Sequence, residues 1–223
     1  MELSTSRQAV VLAGTAAGLA CCASWWIADG LPCEEQSLQR LERELAERGV
    51  CTIEGVYSAA QIDAFTAQHD RLFEQHLAVA AETKSPQHRT YIQPGAAAAG
   101  GPGEGMRSVP LEVDVYDLPD GDELIRVAPG RFDFCSGMDA GIFGQSSFHE
   151  PPAVAALMRR LLKNSYTHYA GALPSVTESA DGPWHRDTYD LFDDFDRVDC
   201  ALPPFYFNVL IPLVDLTIAN GAT

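Results

Sequence analysis

The chain has 223 residues, 46% hydrophobic and 21% charged, enough apolar material for one sizeable packed domain and too much for a globally disordered chain. Its formal net charge is −16, from 31 acidic against 15 basic side chains, and no basic patch or stripe stands out. That balance argues against nucleic acid, disfavours anionic lipid surfaces as partners and favours solubility.

Residues 9–28 form an uncharged run of 20 residues, with Arg7 before it and Asp29, Glu34 and Glu35 after it. As a helix, a run of this length spans the roughly 30 Å of a bilayer core. Trp25 and Trp26 stand at its far end, where aromatic rings favour the membrane interface. Ala23, with Cys21 two positions before it, fits a small-residue cleavage site. Residues 1–30 are therefore read as a hydrophobic signal or anchor segment. It implies membrane association through 9–28, or entry into the secretory pathway or an organelle. A transit segment or a plain N-terminal extension is the other reading. The folded domain is 31–223.

Leu38, Leu41 and Leu45 among charges predict a one-faced helix over 35–48, stopped by Gly49. Val50 to Val56 alternates as a short strand does. Ser58-Ala59-Ala60-Gln61 is a capping box, and a helix should follow it to about residue 82. His69 and His76 lie seven residues apart on that helix. A metal pair on one helix face prefers four-residue spacing, so both read as surface or satisfied histidines. Residues 93–105, with four alanines and a Gly-Gly-Pro-Gly-Glu-Gly stretch, read as a flexible loop. They lack the Lys and the following helix of a phosphate-binding loop.

Residues 123–128 read as a strand and 131–144 as a structured loop near a pocket. Pro151 and Pro152 open a helix that runs to about Lys163. Two further strands are expected at 166–176 and 205–214. The second is nearly continuous apolar, as in a strand buried on both faces. Helices dominate early and strands late, which predicts an α+β fold with a mainly β core buttressed by N-terminal helices. None of the six cysteines forms a C-x-x-C pair, so zinc-knuckle and thioredoxin-type motifs are absent. Small buried thiols are the simplest reading, and a Cys33–Cys51 disulfide is the alternative in an oxidising compartment.

The chemistry concentrates near the C-terminus. His185 and Asp187 are two residues apart, and in an extended strand such positions point to the same side. An imidazole nitrogen and a carboxylate oxygen can then share one metal. They form two-thirds of the 2-His-1-carboxylate triad that leaves open positions on non-haem iron. Arg186 points the other way. The aspartates from Asp187 to Asp199 lack the glycine and terminal glutamate of a calcium loop and read as a solvated loop.

Trp184-His185-Arg186-Asp187-Thr188, Leu191-Phe192, Leu202-Pro203-Pro204-Phe205, Asn208-Val209, Ile211-Pro212-Leu213-Val214-Asp215-Leu216-Thr217 and Asn220-Gly221-Ala222-Thr223 follow one another in an order that resembles the phytanoyl-CoA dioxygenase family. The resemblance covers most of 35–223, with its specific part in 184–223. It implies a double-stranded β-helix, a cupin-like jelly roll with helices packed outside. It also implies iron(II) held by His185 and Asp187, with 2-oxoglutarate and O₂ as cosubstrates and ascorbate as reductant. The reaction would be hydroxylation of a C–H bond in a small organic or acyl substrate. An intact Asp187 favours hydroxylation over halogenation. Asn208 is a candidate hydrogen-bond donor to 2-oxoglutarate, or else satisfies a buried backbone group.

The family pattern goes on to a second metal-binding histidine and an arginine for the far carboxylate of the oxo acid. Here no histidine follows His185, and the only arginine after Arg186 is Arg197, in the Asp-rich loop. For His149 and His168, ordinary core or surface roles fit better than a place beside that metal. The expectation is thus a C-terminally incomplete barrel, with catalysis by this chain left open. The alternative is a non-catalytic, degenerate jelly-roll binding module or a gene fragment.

Overall fold

The computed structural model of the chain describes residues 9–14, 33–93, 109–163, 166–176, 179 and 205–217. In chain order its elements are β1 (Ala9–Gly14), α1 (Cys33–Arg48), β2 (Val50–Glu54), α2 (Ala59–Glu82), β3 (Gln87–Gln93), β4 (Val109–Asp117), β5 (Glu123–Ala128), β6 (Arg131–Phe134), α3 (Ser146–His149), α4 (Pro152–Leu161) and β7 (Phe207–Leu210). They fall into two compact units. One comprises Met1–Ala64, Ser146–His168 and Val198–Thr223; the other comprises Phe65–Gln145 and Tyr169–Arg197.

The first unit holds a three-stranded antiparallel sheet in the order β2–β1–β7. Its middle strand comes from the N-terminal run that the sequence reading sets apart as a signal or anchor. Val10 and Val11 are β-branched and suit extended backbone, and both edges of the strand find a hydrogen-bonded neighbour. Residues 15–28 of that run lie outside the described residues. Among the described residues, no helix is long and apolar enough to cross a membrane.

α1 buries Leu41 and Leu45, as its leucine spacing predicts. It ends where the Gly49 N–H donates to the Leu45 carbonyl at 2.9 Å, with Gly49 at φ 72°. A side chain in that left-handed conformation costs about 1–2 kcal/mol, which is why glycine stands there. β2 then alternates Cys51 and Ile53 inward with Thr52 and Glu54 outward. Cys51 is a free buried thiol, so no Cys33–Cys51 disulfide forms. Burial first, and the Glu44 charge second, push that thiol up to about 11, against the opposing pull of Arg40. α4 buries Val154, Ala155, Leu157 and Met158 behind its N-terminal prolines. Arg160 joins it to α1, with Nε and Nη2 each 2.8 Å from the two Glu42 oxygens and Nη1 2.5 Å from Glu35 Oε1. The buried Tyr57 hydroxyl donates to the Phe148 carbonyl at 2.6 Å, and burial pushes its pKa up to about 12.

The second unit holds a four-stranded antiparallel meander, β3–β4–β5–β6, which does not close into a barrel. The chain is thus α+β. The strands of this sheet lie in the first two-thirds of the sequence, earlier than expected. α2 opens with the predicted capping box: the Ser58 N–H donates to Gln61 Oε1 at 2.9 Å, and the Gln61 N–H donates to Ser58 Oγ at 3.3 Å. Further along α2, Phe73 meets Phe132 edge-on at 5.3 Å and stacks on Phe134 at 6.2 Å between centroids. Phe65 lies 6.1 Å from Phe143. The predicted loop at 131–144 begins instead as β6. Turns follow from 136, where Gly137 and Gly141 take positive φ.

Two predicted strands are shorter or absent. Residues 169–176 make only isolated bridges to β6, Ala172 with Phe134 and Ser175 with Arg131. Pro174 has no N–H to give and only accepts, from Phe132 at 3.0 Å. The strand expected at 205–214 shrinks to Phe207–Leu210, with Pro212 two residues beyond it. It is not buried on both faces: Phe205 is 45% exposed and Val209 37%. Among the described residues β7 has one neighbour, β1, so the apolar run is an edge rather than an inner strand.

Candidate functional site

Of the residues singled out for iron and oxo-acid binding, Asn208 is placed by the structure. It sits on β7 opposite Ala13 of β1 and is half-buried. Its Oδ1 accepts from the Tyr206 hydroxyl at 2.8 Å, across one pleat of the same strand. That bond fixes the plane of the amide and turns its carbonyl end toward Tyr206. His185 and Asp187 lie outside the described residues, as do Arg186 and Arg197. Among the described residues, no group of three or more His, Cys, Asp or Glu side chains is placed to hold a metal ion.

His76 is buried within the second unit and satisfied. Its Nε2 lies 3.4 Å from the Ser136 carbonyl, and its ring meets Phe134 edge-on at 4.8 Å. Ser136 in turn donates its hydroxyl to Asp120, and this bond, more than any other influence, holds the Asp120 carboxyl below the usual carboxylate range. The Ser136 hydroxyl therefore serves a carboxylate rather than an imidazole. The arrangement ties the turn after β6 to the turn between β4 and β5. His69 stands beside Asp70 at 3.0 Å and over Phe134.

A polar row that sequence reasoning missed crosses the four-stranded sheet. Register sets His88 opposite Asp114 and Asp114 opposite Arg126. The three, with Glu112 and Val113, line an open cleft of about 290 Å³. His88 Nδ1 donates to Asp114 Oδ1 at 2.6 Å, and Arg126 donates to the other oxygen. Burial lifts the Asp114 pKa, but the hydrogen bonds and charges of Arg126 and His88 outweigh it and hold the carboxyl below its usual value. Thr90 donates to Glu112 at 2.8 Å. Each of these charges is met within the sheet, as in a cross-strand ladder. The signal for it was the alternation of Leu111, Val113 and Val115 with Glu112 and Asp114.

In the first unit, His149 and His168 come together, with ring centroids 4.6 Å apart. Burial first, and His168 second, hold the His149 pKa below its ordinary value, with Glu150 pulling the other way. No family model, no curated protein and no solved structure matches the chain.

Proposed function

We propose that the chain is an iron(II)/2-oxoglutarate oxygenase of the phytanoyl-CoA dioxygenase type, a hydroxylase of a small organic or acyl substrate built on a jelly-roll core. The observation that carries this reading is the ordered block from Trp184-His185-Arg186-Asp187 through Leu202-Pro203-Pro204 to Asn220-Gly221-Ala222-Thr223. An imidazole and a carboxylate are donors that iron(II) accepts, and their i, i+2 spacing suits a shared metal on an extended strand. Iron(II) with 2-oxoglutarate and O₂ would supply the oxidising power for C–H hydroxylation, and ascorbate would keep the metal reduced.

The chain's own residues would bind and orient. His185 and Asp187 would hold the metal. Asn208, its amide plane held by Tyr206, would donate a hydrogen bond to an oxo-acid oxygen. The α+β architecture and the antiparallel sheets are compatible with this reading and do not single it out.

The test pairs metal binding with turnover. Titration with iron(II) under anaerobic conditions is expected to show binding in the parent chain. His185→Ala and Asp187→Ala should each weaken it by more than the roughly 10–100-fold that loss of an outer-shell partner costs. With 2-oxoglutarate present, Asn208→Ala should lower oxo-acid affinity about tenfold or more, the worth of a hydrogen bond to a charged group. Succinate formation from 2-oxoglutarate under iron(II) and ascorbate reads catalysis. Iron binding that both substitutions leave unchanged would sink the metal assignment. Tight binding without succinate would turn the reading to a non-catalytic binding module.

A further inference from the structure

His149 ends α3, directly after the buried Phe148, whose ring it meets edge-on at 5.2 Å. The His168 ring lies beside it too, with centroids 4.6 Å apart and the planes tilted by 33°. Two residues before His168, the Tyr166 hydroxyl donates to Glu150 Oε1 at 3.1 Å. Residues 166–168 are thus fastened twice to the corner where α3 gives way to α4. One fastening is a hydrogen bond that involves no histidine. The other is a pair of rings that attract while at least one is neutral and repel when both are cations.

We propose that the His149–His168 ring pair is an acid-sensitive clasp, which holds residues 166–168 on the α3–α4 corner at neutral pH and releases them when both rings carry a proton. The surrounding groups fix the direction. Burial and His168 hold the His149 pKa below 6.5, and Glu150 opposes them only in part. The other neighbours are Tyr166, on the segment itself, and Arg159 of α4, which acts on the Tyr166 hydroxyl. The closed clasp takes up a proton at His149 less readily than the open one. Its holding strength is therefore full above pH 6.5, declines as pH falls below that value, and levels off beneath the lowered His149 pKa.

Backbone amide hydrogen exchange over residues 166–170 of the full chain, corrected for the intrinsic rate at each pH, reads the clasp. Protection is expected to fall several-fold between pH 7.5 and pH 5, since each unit of pKa difference between closed and open forms is worth about tenfold. His168→Gln changes an exposed position and is expected to leave the fold intact while removing most of that pH dependence; His149→Gln should do the same. Tyr166→Phe should lower protection by the same factor at both pH values. Protection in the parent chain that does not vary with pH overturns the clasp. So does a His168→Gln variant that keeps the parent's pH dependence.

Discussion

At the scale of single residues, burial of charge is the term that stands out. Asp133, on β6, has its pKa raised, and desolvation is the cause. A raised carboxyl means that the folded chain binds its proton more tightly than the unfolded chain does. The cost of keeping Asp133 folded is therefore absent at acid pH, sets in as pH rises past the ordinary value of 3.8, and is complete above the raised pKa. Asp133→Asn removes that charge. Its stability is expected to decline less than the parent's on going from pH 4 to pH 7, as measured by urea unfolding midpoints at the two values. Parallel declines in parent and variant would show that Asp133 is solvated in the fold. Asp114 is the contrasting case, since Arg126 and His88 more than offset its desolvation. The difference between the two carboxylates lies in cross-strand register, which sets His88 and Arg126 opposite Asp114 and Ile125 opposite Asp133.

At the scale of elements, the helices follow from local rules. The capping box before α2 satisfies backbone N–H groups through Ser58 and Gln61. Ser58→Ala is expected to cost about 1 kcal/mol, seen as a lower unfolding midpoint with an unchanged denaturant slope. A cost near zero would mean that water caps this helix equally well. α1, α2 and α4 were legible because leucine and phenylalanine spacing, a cap and paired prolines all act within a few residues. β3 was not legible: Gln87-His88-Arg89-Thr90 carries no apolar alternation, and its place is fixed by pairing with β4 beyond the low-complexity residues. The 166–176 segment shows the converse. Its apolar residues look strand-like, yet Leu173 is 67% exposed and Pro174 interrupts the ladder to β6. Propensity proposed a strand there, and the absence of continuous pairing decided against it.

At the scale of the whole molecule, each unit is assembled from separated stretches of chain, three in one and two in the other. Such long-range assembly was invisible to windowed reading, which grouped helices early and strands late. The candidate site was legible only as a sequence pattern. Asn208 was expected on a strand and lies on one, while His185 and Asp187 fall outside the described residues. Net charge acts at this scale as well. With −16 on 223 residues, self-repulsion opposes compaction. Raising sodium chloride from about 0.01 M to 0.15 M shortens the screening length from about 30 Å to 8 Å, so the urea midpoint at pH 7 is expected to rise. A flat or falling midpoint would show that favourable pairs such as Arg160 with Glu42 dominate the electrostatics.

The middle strand of the three-stranded sheet carries a consequence for biogenesis. This strand, which pairs with β2 through Ala9–Ala13 and with β7 through Val11–Gly14, lies upstream of Ala23, the position that the signal-segment expectation marks for cleavage. Cleavage at that point would compete with assembly of the sheet for the same stretch of chain. It would leave β2 and β7 without the strand that joins them.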